Sequence, residues 1–123
     1  MHLFFFVLFS SGAPTLSRNT SASLLQFDDG KYWVFDCGEG FQKELLKYQN
    51  ITNKDIEAIF ITHLHGDHLY GLFGLLCSLS LLARSPDRSI DLIGPKGLRH
   101  ILEVMGPITD MCINFTINLV ELV

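Results

Sequence analysis

Apolar residues recur along the chain in short runs and at regular intervals, and these intervals predict strands that alternate with helices. Short or alternating apolar runs predict strands at Leu3–Phe9, Ser21–Phe27, Lys31–Asp36, Ala58–Ile61, Ile90–Ile93 and Phe115–Leu122. Apolar residues at helical spacing predict helices at Phe41–Tyr48, Leu69–Leu82 and Leu98–Met105. Because the two kinds of element alternate, we expect a layered α/β (α+β) fold.

Glycine, proline, asparagine and aspartate mark the connections between these elements. Asp28, Asp29 and Gly30 separate two predicted strands and predict a hairpin turn. The segment Ser10–Asn19 is expected to be a loop, and Gly94–Gly97 a turn before the last helix.

Length and composition indicate a single globular unit. The chain has 123 residues, of which 48% are apolar and 18% are charged, and this suits one domain with one core. The last predicted strand reaches Leu122, and no helix follows it. We therefore expect residues 1–123 to form one partial domain whose second half is absent. Half of a layered domain would leave one sheet face uncovered, which favours aggregation.

Three features bear on location and partners. The run Leu3–Phe9 has no basic n-region and is too short to cross a membrane, which predicts a buried first strand rather than a signal peptide. Cys37, Cys77 and Cys112 are widely spaced among apolar neighbours, so we expect buried thiols in an intracellular protein of the cytoplasm or nucleus. The net charge of -4 argues against a basic surface that grips nucleic acid through its phosphates.

The segment Thr-His-Leu-His-Gly-Asp-His at positions 62–68 carries the clearest chemistry. His63 and His65 are two positions apart, so on an extended segment they face the same side. A glycine then lets the chain turn, and Asp67 and His68 follow near the start of the next predicted helix. Imidazole nitrogen and carboxylate oxygen are both zinc ligands. Two nearby pairs suit a site for two metal ions, which lie about 3.5–4 Å apart in such sites.

Other polar residues are weaker candidates. Asp36 ends a predicted strand, where its carboxylate would either orient a ligand histidine or cap a turn. Glu39 suits a charge at a helix start, whereas His2 and His100 are expected to take no part in metal binding. The motif offers four ligands, but two zinc ions need about five or six, some of them shared. The missing ligands must come from a segment that is not here, or from a second chain.

The sequence resembles the metallo-β-lactamase superfamily and, within it, ribonuclease Z, the tRNA 3′ endonuclease, in its short form. The resemblance runs from about Pro14 to Val123 and depends on these segments: Pro14–Thr15 with Arg18–Asn19, Phe35–Gly40 with Gln42, Phe60–His68, Gly71–Leu72, Gly74–Leu76 and Gly94–Leu98. The sequence departs from the family pattern in a shortened loop at Phe9–Ala13, at Phe41 and at Phe73.

The resemblance implies the N-terminal part of an αβ/βα sandwich with two zinc ions at the sheet edge. His63 and His65 would hold one ion, and Asp67 and His68 the other. Asp67 would also be catalytic, as the acceptor of a proton from the attacking water. The substrate would be precursor tRNA, whose 3′ trailer is released. The full-length form would be a homodimer with no membrane association, and its second half would carry the remaining ligands.

Two alternatives stay open. The zinc motif fits the whole superfamily, so another hydrolase of the same fold, such as a thioesterase or an arylsulfatase-like enzyme, is possible. The short ligand count also permits a non-catalytic truncated isoform. As a fragment or short isoform of ribonuclease Z, the isolated chain is expected to be inactive alone.

Overall fold

The computed structural model describes residues 4–7, 21–47, 55–82 and 87–123. These residues form one six-stranded mixed sheet whose strand order follows the chain. The strands are β1 (Phe4–Val7), β2 (Ala22–Gln26), β3 (Tyr32–Cys37), β4 (Ile56–Phe60), β5 (Ser89–Pro95) and β6 (Thr116–Leu122). The helices are α1 (Phe41–Leu45), α2 (Gly66–Leu69), α3 (Leu72–Leu82) and α4 (Leu98–Ile108). The predicted layered α/β fold is thereby confirmed.

The sheet changes direction at β3. Strands β1, β2 and β3 pair antiparallel, whereas β3 to β6 run parallel. The β2–β3 connection is the predicted hairpin, in which Gly30 has a φ of 84° and Phe27 N–H donates to the Lys31 carbonyl at 2.9 Å. A positive φ favours glycine, which explains why the turn falls there. The parallel strands bring their carboxyl ends to one edge of the sheet.

The core lies between one face of the sheet and α3. The sheet contributes Leu24, Val34, Ile59 and Leu92, each fully buried. The helix contributes four leucines that are equally buried, Leu72, Leu75, Leu76 and Leu79. Truncating a buried leucine to alanine costs about 2–5 kcal/mol, so this contact is a major source of stability.

The other face of the sheet carries aromatic side chains that stay partly exposed. Along β3, Trp33 and Phe35 point away from the buried core positions and are half-buried. Phe35 stacks on Phe60 of β4 with ring centroids 4.9 Å apart, and Trp33 lies 5.1 Å from the same ring. Trp33 Nε1 donates to Glu57 at 3.1 Å. The described residues thus leave an aromatic surface open on this side.

Two predicted boundaries are wrong for the same kind of reason. The apolar stretch Leu69–Leu82 is two helices, because the chain breaks at Gly71, whose N–H donates to the Cys37 carbonyl at 2.9 Å. The turn predicted at Gly94–Gly97 starts two residues later than predicted, because β5 continues to Pro95, which pairs with Leu122 of β6. Both changes come from contacts with distant segments.

The remaining predictions differ in outcome. Cys37 is buried and Cys77 is half-buried, but Cys112 is exposed, so the expectation of a buried thiol is wrong there. Cys112 follows α4 in a segment fixed through its backbone, since its carbonyl accepts from Ser80 Oγ at 3.3 Å. Leu3–Phe9 is confirmed as a strand over Phe4–Val7, and α1 ends at Leu45.

Some predicted features lie outside the described residues, namely the Ser10–Asn19 loop, the ends of the first strand and Tyr48. Within the described ranges, no helix has the length and apolar character that a membrane crossing requires.

Candidate metal centre

The histidine motif lies at the carboxyl ends of two parallel strands. Phe35 of β3 is in register with Phe60 of β4, so Asp36 and the residues after β4 leave the sheet side by side. The motif starts in the connection after β4 and runs into α2, which contains Asp67 and His68. In open α/β sheets, ligands bind at this edge, so the position suits the predicted chemistry.

Three of the four predicted ligands form a cluster. The ligand atoms of His63, Asp67 and His68 all lie within 4.8 Å of one another. His68 Nε2 and Asp67 Oδ2 are 3.4 Å apart. Two ligand atoms bonded tetrahedrally to one zinc ion are separated by about 3.3–3.6 Å, given bonds of about 2.0–2.2 Å. The residues present therefore fit a zinc ion.

His65 lies beside this cluster and is more exposed than the three residues that form it. Its ring centroid is 4.7 Å from that of His63, with the planes at 78°. The His63 and His68 rings are nearer, at 4.0 Å. The structure thus places all four residues at one edge, with His63 next to both His65 and His68. Their roles as ligands stay predictions.

Asp36 is buried behind the cluster and contacts two parts of the motif. Its Oδ2 atom lies 2.8 Å from His68 Nδ1. Its Oδ1 atom accepts the backbone N–H of Thr62 at 2.7 Å. The carboxylate therefore contacts both a predicted ligand histidine and the backbone of the motif. Its role stays a prediction. The φ of 64° at Asp36 is uncommon for a residue other than glycine.

Backbone hydrogen bonds fix the motif from outside and within. The Asp67 carbonyl accepts from Ser21 N–H at 3.2 Å, and the His65 carbonyl accepts from His68 N–H at 3.0 Å. Gly71 lies so close to β3 that an added Cβ would be 2.0 Å from the Gly38 carbonyl oxygen. The start of α3 is thereby held against the end of β3.

The nearby thiol does not suit metal binding. Burial raises the pKa of the Cys37 thiol far above its usual range, and the adjacent Asp36 carboxylate raises it further. Metal ligation uses the thiolate form, which this burial disfavours, and the Cys37 side chain belongs to the hydrophobic core.

The weaker candidates from the sequence lie away from the cluster or outside the described residues. Glu39 is exposed in the turn before α1, and His100 is exposed on α4. Cys77 and Cys112 line a separate groove of about 410 Å³, and His2 lies outside the described residues.

Thr62 is a residue of the motif to which the sequence alone assigned no role. Its hydroxyl lies 3.0 Å from His63 Nδ1. The sequence feature that could have indicated this contact is a hydroxyl residue directly before the first histidine.

Comparisons with known proteins give matches over most of the chain. A protein-family model described as Anti-Pycsar protein Apyc1 matches residues 3–103. A curated ribonuclease Z from Prochlorococcus marinus (strain MIT 9301) is 43% identical over 113 residues, which cover 91% of this chain and 35% of that protein.

Solved structures agree with these matches. The crystal structure of human tRNase Z, short form, has a TM-score of 0.85 and 38% identity, covering 95% of this chain and 44% of that one. The metallo-β-lactamase fold protein YhfI from Bacillus subtilis, at 18% identity and a TM-score of 0.71, covers 98% of this chain and 47% of its own, and shows the fold alone. The chain spans about one third of the length of the curated relatives it matches.

Proposed function

Because this chain belongs to the family described as Anti-Pycsar protein Apyc1 and matches the N-terminal part of ribonuclease Z in the metallo-β-lactamase superfamily, we propose that it contributes to a zinc-dependent endoribonuclease. The activity is removal of the 3′ trailer from precursor tRNA. The observation that carries the proposal is the cluster of His63, Asp67 and His68 at the carboxyl edge of the sheet.

Zinc is the metal that we propose for this cluster. His63 and His65 would hold one ion, and Asp67 and His68 a second. When bound, zinc would act as a Lewis acid that polarises phosphoryl oxygens and offsets their negative charge. The chain has a net charge of -4, so we assign the attraction for a phosphodiester to this centre rather than to a basic surface.

Asp67 is the group that we propose as proton acceptor for the attacking water. Its side chain is 29% exposed, so water reaches it, and Oδ2 lies 3.4 Å from His68 Nε2. The contact between His68 Nδ1 and Asp36 directs the other nitrogen of that ring toward Asp67. A carboxylate in this position accepts a proton next to the reacting phosphate and returns it to solvent.

Zinc titration of the purified chain tests the proposed centre. We expect fewer than two tightly bound zinc ions per chain, because a catalytic zinc normally needs three protein ligands. His68→Ala should remove most of the binding, whereas His100→Ala, at an exposed histidine on α4, should leave it unchanged. Equal zinc binding by His68→Ala and the wild type would contradict the proposed centre.

The remaining ligands are proposed to come from residues outside this chain or from a second copy. The described residues bring three ligand groups together, and the undescribed ranges contain one further residue of ligand type, His2. We therefore expect no cleavage of precursor tRNA by the isolated chain. Turnover by the isolated chain would instead indicate ligands shared across a dimer.

A chimaera tests the activity directly. Residues 1–123 would replace the matching part of the Prochlorococcus marinus ribonuclease Z, which is 43% identical over the shared region. We expect the chimaera to cleave precursor tRNA at the 3′ side, and His68→Ala in the same chimaera to abolish cleavage. His100→Ala is the matched control. A chimaera that folds and binds zinc but does not cleave would count against the proposal.

Another hydrolase of the same fold is the second candidate. The metal motif is common to the superfamily, and the family model that matches residues 3–103 carries a name other than ribonuclease Z. A substrate panel on a longer product of the same gene separates the two. Hydrolysis of thioesters or aryl sulfates without cleavage of phosphodiesters would favour the alternative. A non-catalytic isoform would give no turnover on any of these substrates.

Assembly and location complete the proposal. By the family pattern, we infer a homodimeric full-length form that acts inside the cell, in the cytoplasm or the nucleus. Sedimentation of the longer product and cell fractionation with an antibody to this chain test the two statements separately.

A further inference from the structure

Thr62 lies between the buried carboxylate of Asp36 and the first histidine of the motif. Its hydroxyl oxygen is 3.0 Å and 2.8 Å from the two carboxylate oxygens of Asp36 and 3.0 Å from Nδ1 of His63. Asp36 Oδ2 is also 2.8 Å from Nδ1 of His68. One carboxylate is therefore connected to two histidines, directly to His68 and through the Thr62 hydroxyl to His63.

The direction of each hydrogen bond follows from counting protons. A carboxylate only accepts hydrogen bonds, and a hydroxyl has one proton to donate. The Thr62 proton must therefore point at Asp36, because otherwise its oxygen would face two carboxylate oxygens with no proton between them. The Thr62 lone pairs then face His63, so the Nδ1 atom of His63 must carry a proton and donate it.

The same reasoning fixes the second ring. Nδ1 of His68 faces an Asp36 oxygen and must donate to it. A neutral imidazole carries one proton, so both rings then have an unprotonated Nε2 atom. For His68, that atom is the one 3.4 Å from Asp67, within the candidate metal centre.

We propose that Thr62 is a positioning residue that relays the Asp36 carboxylate to His63, so that one carboxylate fixes the Nδ1–H tautomer of both His63 and His68. The inference rests on the proposed zinc centre for its purpose, since a metal ligand needs a free nitrogen lone pair. It accounts for the hydroxyl residue at position 62 and for the contact of the buried Asp36 carboxylate with a residue 26 positions away in sequence.

Nitrogen NMR of the metal-free chain tests the relay. The ring ¹⁵N shifts of neutral histidines report the tautomer, and they are measured at about pH 8.5, well above the ordinary histidine pKa of about 6.5. We expect Nδ1–H at His63 and at His68 in the wild type and in Thr62→Ser, which keeps the hydroxyl. In Thr62→Val, which keeps the shape, His63 should move largely to the Nε2–H form while His68 stays unchanged.

A proton on Nε2 of His63 in the wild type would overturn the proposal without any variant. So would an unchanged His63 tautomer in Thr62→Val, or an equal shift at His68, which would indicate a general loss of structure. If Thr62→Val does not fold, Thr62→Ala removes the same hydroxyl and has the same expected result at His63.

Zinc affinity provides a second readout. Loss of a group that orients a metal ligand weakens metal binding about 10–100-fold, and we expect Thr62→Val at the lower end and Thr62→Ser close to the wild type. The tautomers are read without metal or substrate, so failure of zinc binding or of tRNA cleavage would overturn the proposed function and leave this inference standing. A wrong tautomer at His63 would overturn the relay alone.

Discussion

Two strand-to-helix connections leave the same edge of the sheet, and each is held by a carboxylate from a neighbouring strand. In the connection from β4 to α2, Asp36 of β3 accepts the backbone N–H of Thr62 at 2.7 Å. In the connection from β5 to α4, Glu121 of β6 accepts the N–H groups of Gly97 and Arg99 at 3.2 Å and 2.8 Å. The same structural device thus occurs twice in adjacent parts of the fold.

The two carboxylates differ in what else they contact. Glu121 is half-buried and contacts backbone N–H groups at the start of a helix of 11 residues, where a negative charge is favourable. Asp36 is buried, and it also contacts the side chains of Thr62 and His68. The carboxylate in the connection from β5 to α4 therefore supports the start of a helix, whereas the carboxylate in the connection from β4 to α2 supports histidine side chains. The comparison separates what folds this edge from what gives it chemistry.

The largest expected effect is at Gly71, which lies between α2 and α3 and closely approaches the end of β3. Gly71→Ala would place a Cβ 2.0 Å from the Gly38 carbonyl oxygen, which cannot yield without moving β3. Gly94→Ala, near the end of β5, is the matched change, because there the nearest atom is the flexible end of Leu98 at 2.7 Å. We expect a loss of unfolding free energy of about 3 kcal/mol for the first and about 1 kcal/mol for the second. Urea denaturation measures both, and equal losses would contradict the distinction.

The next effect separates stability from metal binding. Asp36→Asn keeps the size but sets an amide N–H against donors, so we expect a loss of about 1–3 kcal/mol in unfolding free energy. Zinc affinity should fall about 10–100-fold. Asp91→Asn is the control, because Asp91 is exposed and accepts one bond from Asn118 at 3.1 Å. If both variants bind zinc like the wild type, Asp36 does not orient a ligand.

The smallest effect is expected at the carboxylate of the other connection. Glu121→Gln keeps an acceptor oxygen but removes the charge near the start of α4, so we expect a loss of about 0.3–1 kcal/mol. Glu103→Gln, at an exposed position on the same helix, should cost less. Zinc titration of Glu121→Gln should match the wild type. Weaker zinc binding in this variant would mean that the two connections are coupled.

Features that depend on neighbouring residues in sequence were predictable. Short apolar runs predicted the strands, and the Asp-Asp-Gly turn predicted the hairpin because Gly30 takes a positive φ. The motif at positions 62–68 was also recognisable, since its candidate ligands lie within six positions of one another. Asp36 was recognisable as a candidate because it ends a predicted strand, and the roles considered for it stay predictions.

Features that depend on distant contacts were not predictable. The helix break at Gly71 comes from its approach to the end of β3, which no local pattern reports. The extension of β5 to Pro95 needs β6 as a pairing partner. The contact between Thr62 and Asp36 spans 26 positions and exists because β3 and β4 pair in parallel. In each case the register of the sheet, rather than the local sequence, decides the outcome.

The open aromatic face of the sheet has a spectroscopic consequence. Trp33 is the single tryptophan of the chain, and it lies on that face in contact with Phe27 and Phe60. Tryptophan emission moves to shorter wavelength when water leaves the indole ring. The intrinsic fluorescence of this protein is therefore a direct optical report of whatever covers that side of the sheet, whether another segment, another subunit or an aggregate.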